Sequence, residues 1–390
     1  MAAVDTSVSA GVESAEYDFV VIGGGTSGLT VASRLTENEC IRVLVLEAGQ
    51  NRLNDPKITV PGLAASTYSD PDYDWCVTSE PQVHLNGRSI GQPIGKVLGG
   101  SSAINLGMLM YPSQSDFDSW EKLGNAGWGW SSIAPYFRKF HTFTKPTGEE
   151  LREGLMLDYM VEGAQGDSGP VQVSFGGADG SAPFSKAWPR AFSALNLEMT
   201  GDPITGIASG PLSACPLPSS FLPLYDQDIS PVDLSELFSA HLSDADLPAN
   251  LRAQYDVLKA QLSSPGNASV QYTLAPFQIT PSAGASPKDF LSMPVPGFYA
   301  SIVSVLNHPF SRGSVHVKSS DPRAAPAFDP QAMSHPIDLE IHARHLFFPE
   351  RLRATPPLAD LFKEGGQRIH NGGKAVETMD EAREMREHPV

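Results

Sequence analysis

Cysteine is scarce in this 390-residue chain: Cys40, Cys76 and Cys215 are far apart and odd in number, and no CxxC pair occurs. That argues against a disulfide framework and a cysteine-rich zinc site, and it fits a reducing compartment. No apolar run is long enough to cross a bilayer. The opening residues, MAAVDTSVSAGVESAEYDF, carry neither a basic nor an apolar leader region, so the expected location is intracellular, in the cytoplasm. The sequon Asn267-Ala268-Ser269 matters only in a secreted protein. Positive charge is also in deficit. The net charge is −17 and is spread along the chain, which argues against nucleic acid or an anionic membrane and for a small-molecule partner.

Two catalytic signatures are missing as well. His342 and His345 stand three apart near Glu340, but HExxH is absent and no third ligand is evident, so they read as helix histidines and no metal is expected. Ser27, Ser101 and Ser102 lie outside any G-x-S-x-G, which sets aside a serine hydrolase. What remains is a chain with 41% hydrophobic residues, enough for two or three domains or one large two-part enzyme.

Residues 17–49 read YDFVVIGGGTSGLTVASRLTENECIRVLVLEAG. An apolar run over 17–22 predicts a buried strand, Leu29, Val31, Ala32 and Leu35 follow at helical spacing, and IRVLVL predicts a second buried strand ending on Glu47. Gly23, Gly25 and Gly28 give G-x-G-x-x-G between strand and helix. Gly23 makes the tight turn, Gly25 admits a pyrophosphate to the backbone, and Gly28 lets helix and strand pack closely. The helix N-terminus offers amides to phosphate. Glu47 can accept from ribose hydroxyls and disfavours a 2′-phosphate, so NADP is a poor candidate, while FAD and NAD remain open.

A second glycine-rich stretch, GKVLGGSSAIN over 95–105, runs into apolar sequence as a loop held against something; Gly99 and Gly100 permit close approach, and Ser101 and Ser102 can donate to phosphate. Further on, SDFDSWEKLGNAGWGWSSIAPYFRKF predicts two helices. Ile133, Tyr136, Phe137 and Phe140 form an apolar face in the second, with Pro135 in its first turn.

In this order VVIGGGTSGLTVASRL, VLVLEAG, DYDWCVTSEPQ, GKVLGGSSAIN and WEKLGNAGWGWSSIAPYFRKF resemble the glucose-methanol-choline (GMC) family of FAD-dependent alcohol oxidases and dehydrogenases, especially its fungal branch. Leu109 departs from the aromatic or alanine usual there. The resemblance implies an α/β fold, in which an FAD-binding Rossmann-like domain is joined to a substrate domain built on an antiparallel sheet. It implies FAD as cofactor and a small-molecule alcohol as substrate, with hydride passing to the flavin and a histidine acting as base. By the same resemblance Thr26 and Ser27 line the pyrophosphate, and Glu47 and Ala48 hold the adenosine ribose. Ser101, Asn105, Leu106, Gly107 and Met108 lie against the diphosphate and flavin.

The implied organisation is a disordered start (1–16), an FAD-binding region (17–175), an irregular connection where a family block is missing (176–222), a substrate-domain region (223–307) and a C-terminal region (308–390). A thin flavin-side sheet is expected, because too little chain remains to fill it. In the last region HPFSRGSVHVKSSDPRAAPAFDP predicts a strand and SHPIDLEIHARHLFF a helix, and the resemblance implies that this region completes a substrate-side antiparallel sheet and the flavin site. The chain stops at His388-Pro389-Val390, which matches the start of the family's catalytic histidine stretch. His388 is the expected catalytic base, in a chain expected to show little turnover. The alternatives are a flavin- or nucleotide-binding relative without turnover and an interrupted gene product.

Overall fold

Strand β1 (Phe19–Ile22) pairs in parallel with β2 (Val43–Leu46), Phe19 opposite Val43 and Ile22 opposite Leu46, and helix α1 (Thr26–Leu35) crosses between them. This is the unit that the apolar runs and glycine spacing predict. The computed structural model describes residues 15–175, 183–207, 209–212, 217–224, 231–242, 247–280, 286–291, 295–321, 323–370 and 373–385. Cys215, His388 and the first fourteen residues lie outside them.

The strands differ from expectation in burial. Continuous apolar runs predict cover on both faces, yet Ile22 is 87% exposed and Phe19, Val20 and Leu46 are close to half exposed. The cause is topological: among the described residues this parallel sheet has two strands, and little packs over it besides α1.

Both helices foreseen after residue 113 form, Gln114–Lys122 and Trp130–Lys139. Ser113 and Asp116 close a reciprocal capping box at the first. The second begins at Trp130, so Pro135 lies in its interior rather than its first turn. There its missing N–H leaves one carbonyl of the preceding turn without a helical donor. The helix is held by rings: Phe137 stacks on Trp130 at 5.6 Å and meets Phe117 edge-on at 5.8 Å. Tyr136, on the expected apolar face, is exposed. The next strand, His141–Thr144, pairs in parallel with Val171–Ser174.

A four-stranded antiparallel sheet forms the second part, in the order Ser301–Leu306, Val270–Ala275, Ser219–Leu222, Gly210–Leu212. Val270, Tyr272 and Leu274 alternate along one strand and are fully buried; they pack with Trp188 and Phe192 of helix Pro183–Ala194 and Phe348 and Leu352 of helix Phe348–Arg353. Each such side chain contributes about 1.5–3 kcal/mol of burial. Stretch 176–222, read as irregular, therefore supplies a core helix and two strands in its described parts. GPL and SSFL carry no β-branched alternation, and Pro189 sits inside the helix, so local pattern hides elements that tertiary burial selects.

A second core joins helices Pro231–His241, Ala249–Leu262 and Pro336–His345 through Leu237, Tyr255, Leu258, Phe310, Ile337 and Ile341. Asp338 is buried and accepts from the Phe310 and Ser311 amides at 2.7 Å. His342 lies 3.3 Å from the Ser304 carbonyl, and His345 lies 3.1 Å from the Ser269 hydroxyl. The expected strand near Val315 forms as Ser314–His316, but it pairs with Ala327–Asp329 in a separate hairpin rather than completing the four-stranded sheet. No helix among the described residues is long and apolar enough to cross a membrane.

Candidate cofactor site

The glycine turn after β1 is closed by a carboxylate. Gly23 takes a φ of +96° and its amide donates to the Leu46 carbonyl at 2.7 Å. Glu47 accepts from the Gly24 amide through Oε2 and from the Gly49 amide through Oε1, each at 2.7 Å. Its carboxylate thus faces the glycine turn, and each oxygen keeps lone-pair capacity for a further donor. Gly28 packs against the turn so tightly that a Cβ would meet the Gly23 carbonyl oxygen at 2.0 Å.

The second glycine loop locks onto the first. The Gly99 amide donates to the Gly24 carbonyl at 2.7 Å, and a Cβ on Gly100 would sit 2.7 Å from the Gly25 Cα. A Cβ on Gly49 would strike the Lys96 carbonyl, so residues 47–50 join the same cluster. Against this, a Cβ on Gly23 meets nothing within 4 Å, and one on Gly25 meets its first atom at 3.8 Å. The turn is packed from behind and open in front. Gly25 is the N-cap of α1, no side chain caps that end, and no acidic residue lies in its first turn. First-turn amides and a positive dipole end therefore face the open side.

The predicted residues fall into two neighbourhoods. Gly23, Gly25, Ser27, Gly28, Glu47, Ala48 and Ser101 belong to the turn and its lock. Ser101 accepts from the Gly95 amide at 3.1 Å and keeps its own proton, whereas Ser102 spends its proton on the Gly99 carbonyl at 2.6 Å. Thr26, Asn105, Gly107 and Met108 line a cavity of about 1210 Å³ together with Ser102. Asn105 shapes that wall: its Oδ1 accepts from the Gly107 amide and its Nδ2 donates to the Met108 carbonyl, both at 3.0 Å. It pins a turn in which Leu106 and Gly107 both have positive φ. His388 lies outside the described residues.

Sequence reasoning missed the far end of this cavity. Tyr111, Tyr136, Phe140, Phe143, Tyr159 and Phe175 give it aromatic walls, and Gln165 and Asp202 give it polarity. Asp202 is buried and accepts from the Val161 amide at 3.0 Å and from Gln165 Nε2 at 2.9 Å. Tyr111 Oη lies 3.1 Å from His141 Nε2 and donates within reach of Gln165 Oε1 at 3.3 Å. Burial, with the Asp202 charge adding to it, pushes the phenols of Tyr111 and Tyr159 well above their ordinary value. These residues span 92 positions without a spacing signature, so no sequence motif marks them.

Residues 17–203 match the family described as GMC oxidoreductase. Over 165 residues the chain is 42% identical to dehydrogenase xptC of Emericella nidulans, an alignment covering 42% of this chain and 26% of that protein. The chain thus spans about a quarter of that curated relative's length. In structure it resembles an FAD-dependent oxidoreductase from Chaetomium thermophilum, with a TM-score of 0.76 at 20% identity over 96% of this chain and 88% of the other. It also resembles a fungal aryl-alcohol oxidase, with a TM-score of 0.69 at 18% identity over 96% and 88%. At such identities these likenesses show the fold.

Proposed function

We propose that this chain, whose residues 17–203 match the GMC oxidoreductase family, holds FAD and takes part in oxidising the CH–OH group of a small-molecule alcohol. The interlocked pair of glycine loops around Glu47, packed behind and open in front, is the observation that carries this reading. The donor set fits the group. First-turn amides of α1, with Thr26, Ser27 and the Ser101 hydroxyl, would hold the diphosphate, and Glu47 beside Ala48 would hold the ribose. Asn105, Leu106, Gly107 and Met108 would border the flavin. When bound, FAD supplies the hydride acceptor. The chain's own work is to orient the alcohol carbon, exclude water with the aromatic walls, and take the hydroxyl proton. His388 is the proposed base, since an imidazole near neutrality suits that transfer. Likeness to fungal dehydrogenases supports a place in fungal secondary metabolism.

The test is an absorption spectrum of the purified protein, followed by mixing with a panel of primary and aryl alcohols for the native chain and His388→Ala. Bound flavin bleached by an alcohol, with bleaching lost in the variant, supports the reading. Absence of flavin refutes it, and equal bleaching in both assigns the base elsewhere. A second reading is a flavin-binding protein without turnover. It is favoured by the absence of histidine among the described residues that line the cavity, and it predicts flavin that no alcohol reduces.

A further inference from the structure

The stretch that leads from the proposed flavin border to the next helix is a strap held at its ends. At its start the Asn105 side chain pins the turn that ends on Met108. At its finish Ser113 caps helix Gln114–Lys122. Between these points residues 109–112 make no backbone–backbone hydrogen bond among the described residues, and Pro112 has no N–H to give. Their tie is the Tyr111 hydroxyl, which lies 3.1 Å from His141 Nε2 and 3.3 Å from Gln165 Oε1. Leu109 and Tyr111 line the large cavity, so the place of this wall depends on where the capped helix begins.

That helix start is fastened from the other half of the molecule. Asp116, in its first turn, divides its carboxylate between two tasks. Oδ2 serves the cap, accepting from the Ser113 amide at 3.2 Å and from the Ser113 hydroxyl at 2.8 Å. Oδ1 accepts from Gln261 Nε2 at 3.2 Å. The same nitrogen lies 3.3 Å from Ser119 Oγ and 3.5 Å from the Ser115 carbonyl. A carboxylate and a carbonyl only accept, so the amide nitrogen must face this helix. His308 Nε2 also approaches Asp116 Oδ1, but at 3.7 Å it is too far for a hydrogen bond. Gln261 is buried, and its helix, Ala249–Leu262, is set in the second core by Tyr255, Leu258 and Leu262. The other supports of the capped helix come from nearer in the chain. Phe117 meets the rings of Trp130 and Phe137, and the Gln114 amide donates to the Gly206 carbonyl at 2.6 Å.

We propose that Gln261 is a positioning residue for the cavity: from the second core, through Asp116, it fixes the strap over 108–113 and with it the wall formed by Leu109 and Tyr111. Neither Gln261 nor Asp116 lines the cavity, so both act at one remove. A hydrogen bond to an ionised group is among the stronger ones, and a strap without backbone bonds has little else to resist local opening. The inference rests on reading this cavity as the place where flavin and alcohol meet. It adds that the fit of that place is set by a residue 145 positions along the chain from the carboxylate it holds.

The test reads the wall and its ligand separately. Native protein, Gln261→Met and Leu258→Ala are digested briefly with thermolysin, and cuts between residues 108 and 113 are timed by mass spectrometry. FAD affinity is measured on the same samples by equilibrium dialysis. Gln261→Met keeps the length of the side chain and removes its donors. Cleavage in the strap is expected to quicken about tenfold or more, as for the loss of one hydrogen bond to a charged group, and FAD affinity to fall about tenfold. Leu258→Ala removes apolar contact from the second core and none of the bonds to Asp116. It should lower the urea midpoint but leave strap cleavage and FAD affinity within about twofold of native. Unchanged strap cleavage in Gln261→Met overturns the proposal. So does equal opening in Leu258→Ala, which would make the bond one structural support among others, and so does an opened strap with unchanged FAD affinity. A native protein that binds no FAD refutes the cofactor reading instead and leaves Gln261 to be judged on strap cleavage alone. If Gln261→Met does not fold, Gln261→Asn, which draws the amide back by one methylene, is tested on the same terms.

Discussion

Two alanine substitutions three residues apart should have opposite consequences. Gly28→Ala places a Cβ 2.0 Å from the Gly23 carbonyl oxygen and 3.2 Å from Val21 Cγ1. Cβ contacts below about 3 Å are not tolerated, so α1 and the turn must part by about 1 Å, backbone against backbone. Overpacking of this kind costs about 1–3 kcal/mol, and the helix-propensity gain of alanine over glycine offsets at most about 1 kcal/mol of it. The parting also strains the Glu47 bond to the Gly24 amide, so destabilisation wins, by about 1–2 kcal/mol. Gly25→Ala differs. Its φ of −82° and ψ of −172° suit alanine, and the first atom lies at 3.8 Å, so the cost is the N-cap preference, about 1 kcal/mol or less. What the new methyl group occupies is the open front of the turn. Urea titration and flavin content per chain separate the two: Gly28→Ala lowers the midpoint, and Gly25→Ala keeps it near native while flavin retention falls at least tenfold. A Gly28→Ala protein as stable as the native one would refute the packing argument, and full flavin retention in Gly25→Ala would refute the approach of a pyrophosphate over that glycine.

Glu47→Gln keeps the shape but turns one acceptor into a donor facing the Gly24 or Gly49 amide, so flavin retention should fall about tenfold and the midpoint by about 1–3 kcal/mol equivalent; equilibrium dialysis and urea titration read both. Asp202→Asn likewise opposes an amide donor to the Val161 or Ile204 amides or to Gln165, with a similar expected loss of stability, and a native midpoint would show that the network is not held by the carboxylate. Acid should destabilise the fold through His342 and His345, whose folded pKa values burial holds below the ordinary 6.5. Below about 6.5 the unfolded chain takes up protons that the folded chain resists, so stability present above that pH is lost as pH falls, by up to about 1.4 kcal/mol per unit for each ring. Urea midpoints between about pH 7.5 and 5.5 should show that slope, and His342→Gln should make it shallower; an unchanged slope in the variant would remove His342 from the account.

The parts of this architecture that were legible in the sequence are those in which cause and effect are close along the chain. Gly23, Gly28 and Glu47 act within one 33-residue unit, so strand, helix and carboxylate could be placed from spacing. The helix Gln114–Lys122 was foreseen from its own segment, whereas its cap by Ser113 shows only in the structure. The contact of Gly100 with Gly25 joins distant segments, and only its ingredients, paired glycines that permit close approach, were visible. Ser219–Leu222 became a strand because its neighbours bury it, a property that SSFL does not encode. The exposed Ile22 is the reverse case: an apolar pattern predicts burial, but burial depends on how many strands stand beside it. Tyr111, Tyr159 and Asp202 each look ordinary alone and acquire meaning from convergence.

The lock between Gly24–Gly25 and Gly99–Gly100 has a consequence for how the protein is made. Its two arms are about 75 residues apart, so during synthesis neither can present a finished cradle until the second has left the ribosome. A ligand seated on both arms has little to grip in the unfolded chain, and it stabilises the folded one by about 2.7 kcal/mol when present at a hundred times its dissociation constant. With β1 and β2 otherwise thinly covered, that increment is a large share of what holds this end of the molecule together. The yield of folded chain from a culture should then follow the riboflavin supply of the producing cells, and starving them of the vitamin should deplete the protein before it depletes its message.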